Sequence, residues 1–77
     1  MDLDILGNPK NVKFKDLLKI CEVYFGKPRI TGGHHIFKMP WKGNPRINLQ
    51  KDGKMAKPYQ VREVIKAIKK LEEENNG

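Results

Sequence analysis

The chain's two histidines stand side by side, in Thr31-Gly32-Gly33-His34-His35-Ile36-Phe37. Imidazole ordinarily titrates at about 6.5, so it can both take and give a proton near neutral pH. The two preceding glycines carry no side-chain bulk, which lets a phosphate backbone come close. Their amides offer donors to a phosphate oxygen. Cleavage of RNA without a metal needs little more. A base removes the 2′-hydroxyl proton, the oxygen attacks phosphorus, and an acid protonates the leaving oxygen; such proton transfer contributes roughly 10²–10⁴-fold. Cations stabilise the charge that develops on phosphorus, and Arg29, Lys38, Lys42 and Arg46 are the nearest basic residues along the strands and turns. Adjacent side chains on a strand point to opposite faces. His34 and His35 therefore reach one substrate together only if the turn distorts the first. Both also fit as ordinary polar residues at the start of a strand. Adjacent strand histidines do not converge on one ion, and no cysteine pair or acidic cluster lies nearby in sequence, so no metal site and no cofactor is expected.

Charge supports a polyanionic partner. Sixteen Lys and Arg face nine Asp and Glu, for a net charge of +7. Five of the acids sit at the ends: Asp2, Asp4, Glu72, Glu73 and Glu74. Between Ile5 and Leu71 the balance is sixteen basic against four acidic residues, or +12. So basic a body expects nucleic acid; a merely solubilising surface is the plainer alternative. With 77 residues there is room for one domain, and such a chain buries only about 60–65% of its unfolded surface. That argues against a self-contained enzyme with a deep cofactor pocket. No apolar run approaches the roughly 18 residues of a membrane span, and the acidic Met1-Asp2-Leu3-Asp4 start is unlike a secretory signal. The single Cys21 forms no intramolecular disulfide. The expected setting is the reducing cytoplasm, without membrane association.

The elements that must position these residues follow from periodicity and punctuation. Residues 1–11 read as a lead-in, with Gly7-Asn8-Pro9 as a turn signal. Phe14, Leu17, Leu18, Cys21, Tyr24 and Phe25 recur at helical spacing, which predicts a helix over 12–25 ended by Gly26 and Pro28. Arg29-Ile30-Thr31 is a short β-prone run. Gly32-Gly33 is a hairpin turn, and 34–39 is a second strand ended by Pro40. Trp41-Lys42-Gly43-Asn44 turns the chain, 45–50 alternates as a third strand, and 51–54 is a polar loop or turn. Lys57-Pro58-Tyr59 opens a last helix whose apolar stripe is Val61, Val64, Ile65, Ile68 and Leu71. Residues 72–77 are expected to fray, because Glu72, Glu73 and Glu74 oppose the helix dipole. The order α-β-β-β-α predicts an α+β two-layer sandwich, a three-stranded antiparallel sheet with both helices on one face. The double-stranded RNA-binding domain has this order of elements.

The run Gly32-Gly33-His34-His35-Ile36-Phe37, preceded by the helix carrying Phe14-Lys15-Asp16-Leu17-Leu18, resembles the HicA (YcfA-like) toxin family. The resemblance extends from about Val12 to Leu71. It implies the toxin half of a bacterial type II toxin–antitoxin pair, with a double-stranded-RNA-binding-domain fold. It further implies metal-independent mRNA endonuclease activity and neutralisation by a HicB-like antitoxin. The family's strand motif is Gly-Ser-His, then a residue that is often histidine, then an apolar-aromatic pair. Gly32 matches the family glycine, and Gly33 replaces the usual serine, which removes a hydroxyl. His34 falls on the catalytic histidine, with His35 as the second choice because some members align their histidine there. Gly32, Gly33, Arg29, Lys38, Lys42 and Arg46 are the expected RNA contacts. Many members carry Pro-(Arg/His)-His after the third strand, where this chain reads Leu49-Gln50-Lys51-Asp52-Gly53-Lys54. Lys54, Lys57 and Tyr59 are candidate contacts that no motif certifies.

Other residues have plainer readings. Trp41 either stacks on a base or, as favoured here, covers a small core beside its turn. Cys21 lies on the helical stripe and is expected buried and inert. Met39 and Met55 read as gap-fillers. Two functions from different classes remain open: an endoribonuclease toxin, or a non-catalytic RNA-binding module using the same basic sheet face.

Overall fold

The structure, a computed structural model, describes residues 3–43 and 45–76. The turn position Asn44, the first two residues and Gly77 lie outside the described residues. Helix α1 is Phe14–Phe25, and its buried side chains are Phe14, Leu17, Ile20 and Cys21. It stops where Gly26 takes φ +82°, with the Gly26 N–H donating to the Glu22 carbonyl at 3.0 Å. It begins two residues later than helical periodicity alone predicts. Val12 and Lys13 are held extended beside the sheet: the Ala56 N–H donates to the Val12 carbonyl at 2.8 Å, and the Phe14 N–H to the Lys54 carbonyl at 3.0 Å. The Lys13 carbonyl then receives the Asp16 and Leu17 N–H groups, so the sheet edge organises the helix start.

Four strands follow: β1 (Arg29–Thr31), β2 (His34–Lys38), β3 (Arg46–Asp52) and β4 (Met55–Ala56). They form an antiparallel sheet in chain order β1-β2-β3-β4. Thr31 pairs with His34 across the Gly32-Gly33 turn, where Gly32 takes φ +58°. The expected three-stranded sheet thus gains a fourth strand, and the segment 51–54, expected as a polar loop or turn, carries the end of β3 and the turn of a further hairpin. Asp52 pairs with Met55 across Gly53 and Lys54, and Gly53 at φ +62° supplies the left-handed turn. A two-residue strand is too short to show periodicity, and its partner on the far side, Val12 to Phe14, is distant in sequence.

Helix α2 is Pro58–Asn76. Proline suits its first position because that N–H has no helical acceptor, and the Lys57 carbonyl receives the Gln60 and Val61 N–H groups. The helix continues through residues 72–76 instead of ending near Leu71. Lys69 and Glu73, and Lys70 and Glu74, stand at the i, i+4 spacing that supports a helix by about 0.2–0.5 kcal/mol per pair.

One face of the sheet, carrying Phe37, Ile47 and Leu49 with Met39 just past β2, packs on both helices. From α2 the core takes Val61, Val64, Ala67 and Ile68. The residues expected to be a mere lead-in belong to this core: two 3-10 helices, Leu3–Gly7 and Pro9–Asn11, bring in Leu6, and Val12 follows. A chain this small needs their apolar area. Leu18 and Ile65, expected in the core, are only half-buried against its edge. The architecture is α+β, with helices on one face of an antiparallel sheet. No helix among the described residues is long and apolar enough to cross a membrane.

Candidate nucleic-acid interface

Alternation that sends Phe37, Ile47 and Leu49 inward sends their strand neighbours outward. Register then builds the outer face in cross-strand rows. Thr31, His34 and Gln50 share one row; Arg29, Ile36 and Asn48 the next; Lys38 and Arg46 the last. Four of the expected site residues, His34, Arg29, Lys38 and Arg46, therefore share one uncovered face. On β3 the carboxylate of that face is Asp52, beyond the rows. Lys42 is exposed in the β2–β3 connection, at the opposite end of the sheet from the Gly32-Gly33 turn. A Cβ added at Gly32 or Gly33 would meet nothing within 4 Å, so the turn is open to close approach.

His34 and His35 do not come together. His34 is half-buried on the outer face, and its Nδ1 lies 3.0 Å from Asn48 Oδ1. With that oxygen accepting, Nδ1 carries the proton and Nε2 keeps the lone pair a general base requires. His35 faces the helices. Its ring meets Phe14 edge to face, with centroids 5.2 Å apart and planes at 71°. Its Nδ1 is buried with no hydrogen-bond partner among the described residues.

A polar network on the β3 edge supports the His34 row. β4 ends at the Ala56–Lys51 pair and leaves the rest of that edge unpaired. Gln60, a buried polar residue of α2, fills the gap. The Gln50 N–H donates to its Oε1 at 3.1 Å, and its Nε2 donates to the Asn48 carbonyl at 3.0 Å. Its Nε2 also reaches the Tyr59 hydroxyl at 3.2 Å. The Lys57 ammonium donates to Gln50 Oε1 at 3.3 Å. Because Gln50 pairs with His34, this brings a fourth cation, after Arg29, Lys38 and Arg46, to the His34 row. Asn48, Gln50 and Gln60 are absent from the sequence-based site, although the alternation of β3 already put Asn48 opposite the core face. Lys57 and Tyr59 had no motif to mark them.

The remaining candidates lie elsewhere. Trp41 is half-buried against the core, with the Lys70 ammonium 4.9 Å from its ring centroid, so it covers α2 and is not displayed on the outer face. Cys21 is buried, and desolvation, with a smaller contribution from Glu22, pushes its thiol up to about 12. Among the described residues, no three His, Cys, Asp or Glu side chains gather where they could hold a metal ion. No protein-family model matches the chain, and neither does any curated protein or solved structure.

Proposed function

We propose that this protein is a metal-independent endoribonuclease of the HicA-like toxin class, with a double-stranded-RNA-binding-domain-like fold. It would act on mRNA in the cytoplasm and be neutralised by a HicB-like antitoxin. One observation carries the reading: His34, its Nδ1 held by Asn48, shares a face with Arg29, Lys38 and Arg46. Nε2 takes the 2′-hydroxyl proton, the 2′-oxygen attacks phosphorus, and the P–O5′ bond breaks as the 5′-oxygen takes a proton from solvent, giving a 2′,3′-cyclic phosphate end. The three cations and Lys57 stabilise the charge that builds on the phosphoryl oxygens. Gly32 and Gly33 admit the backbone at the turn.

A specific observation favours the second reading, a non-catalytic RNA-binding module. Only one of the two histidines faces the cations, so the rows of this face offer one imidazole for two proton transfers. His34→Ala separates the readings. Under the enzyme reading, cleavage falls roughly 10²-fold or more while RNA affinity survives. His35→Ala leaves cleavage in place. If wild-type protein binds RNA and leaves it intact, the binding module replaces the enzyme.

A further inference from the structure

We propose that the open cavity between the start of α1 and the β3–β4 hairpin is a second phosphate site, taken by the RNA strand that crosses the outer face. The cavity has a volume of about 460 Å³ and is lined by Lys13, Phe14, Lys15, Lys51, Gly53 and Lys54. Four of its six lining residues are lysines and none is acidic. The nearest carboxylates in sequence, Asp16 and Asp52, are not in the lining. All four lysines are exposed, and none has an ion-pair partner among the described residues. Like charges gathered around one concavity repel each other, so an anion seated there relieves that repulsion. A phosphodiester chain, unlike a lone carboxylate, supplies a series of charges for such a cluster.

Topology ties this cavity to the outer face. β2 begins and β3 ends at the same end of the sheet, so the Gly32-Gly33 and Gly53-Lys54 turns lie together there. At that end the outer face carries His34 and Gln50 and, one step further along β3, the exposed carboxylate of Asp52, while Lys51 between them projects to the helix side. His35, on that same side, packs on Phe14 of the cavity wall. A strand leaving the His34 row passes the open Gly32-Gly33 turn, on the side of the row away from Asp52, and arrives at the lysines.

The inference rests on the RNA-binding reading, and the experiment keeps the two apart. Backbone amide shifts of the full chain are recorded with a 2′-O-methyl oligouridylate of twelve nucleotides, which lacks the nucleophile, and separately with inorganic phosphate. The expected result with the oligonucleotide is shifts at Arg29, His34 and Arg46 together with Lys13, Lys15, Lys51, Gly53 and Lys54. The K13Q/K15Q/K51Q/K54Q variant then lowers the slope of log K against log salt by about 0.7 for each lost phosphate contact. Shifts confined to the outer face overturn the second site and leave RNA binding intact. Shifts confined to the cavity overturn both the shared strand and the outer-face reading. A response to inorganic phosphate alone makes the cavity a small-anion site and overturns the proposal. So does an unchanged slope in the variant, whose fold is checked by its own amide spectrum.

Discussion

The side-chain amide of Gln60 receives the backbone N–H of Gln50 at 3.1 Å, in the place where a longer β4 would have offered a carbonyl. Its Nε2 donates to the carbonyl of Asn48, two residues back along the same edge. One side chain thus extends the sheet from a helix, and it holds the strand that carries Asn48 and Gln50 beneath His34.

Gln60→Ala is expected to strand that N–H and that carbonyl together. Each unsatisfied buried group costs about 1–3 kcal/mol, so the variant should lose a large part of the stability of so small a domain. Gln60→Glu keeps the acceptor and loses the donor, and should fall between wild type and Ala. Urea unfolding of the three proteins measures the order; equal midpoints would deny the amide its structural role.

The two glycines before His34 should respond differently to serine, the residue usual in the Gly-Ser-His motif that the sequence resembles. Gly32 takes φ +58°, and a left-handed non-glycine residue costs about 1–3 kcal/mol. At Gly33 an added Cβ has open space. Gly33→Ser should stay within about 0.5 kcal/mol of wild type, while Gly32→Ser is clearly destabilised. Thermal melts decide, and equal losses at both sites would refute the turn geometry.

Core positions give a similar contrast. Leu17 has no exposed surface, whereas Ile65 is half-buried at the edge of the cluster. Leu17→Ala should cost about 2–5 kcal/mol. Ile65→Ala should cost less, because part of its side chain is already in water. Chemical denaturation of both variants tests this, and a costlier Ile65→Ala would contradict the packing.

These contrasts mark what the sequence made legible. Leu17, Cys21, Val61 and Val64 repeat at helical spacing, and Ile47 and Leu49 alternate, so both helices and the inward face of β3 could be read locally. Leu6 follows Ile5 in a segment too short to show a period that would single it out, and its burial depends on helices formed elsewhere. Met55 and Ala56 pair with partners on both sides, at Lys51 and Asp52 and at Val12 to Phe14, through backbone hydrogen bonds that no side-chain pattern encodes. The site divides the same way. Arg29, His34, Lys38 and Arg46 fall on one face by strand alternation and register. Gln60 and Lys57 reach the His34 row only because α2 starts where β4 ends.

Cys21 predicts a pH effect of definite sign. Burial raises its thiol from 9.0 to about 12 in the folded chain. The folded state therefore holds this proton more tightly than the unfolded state. The corresponding stability is fully present below about pH 9 and declines as pH rises from there toward 12. Lysines and tyrosines titrate over the same range, so the readout is the difference between wild type and Cys21→Ala. Relative to its value at pH 7, wild-type stability should drop more steeply than that of the variant above pH 9. Parallel curves would show that the thiol is not desolvated. In the native protein near neutral pH, a thiol-specific reagent should label Cys21 only as fast as the chain opens.

The pairing of His34 with Asn48 yields the last prediction, which concerns proton transfer. Asn48 touches no substrate in this reading; it is a positioning residue that keeps the proton on Nδ1 and leaves Nε2 as the base. Asn48→Ala removes the acceptor, so cleavage should slow while the affinity for uncleavable RNA holds. Asn48→Asp keeps an acceptor and adds a negative charge at about the same distance. That charge favours the imidazolium form, so a larger share of His34 is protonated at any given pH. The acidic limb of the pH–rate profile should then move to higher pH in Asn48→Asp, with the basic side less affected. A merely structural asparagine would lower the rate without moving that limb. Profiles of wild type and Asn48→Asp that superimpose after scaling would therefore remove Asn48 from the mechanism. A limb that moves in Asn48→Asp but not in an Asp substitution at Gln50 would tie the base to His34 through this one contact.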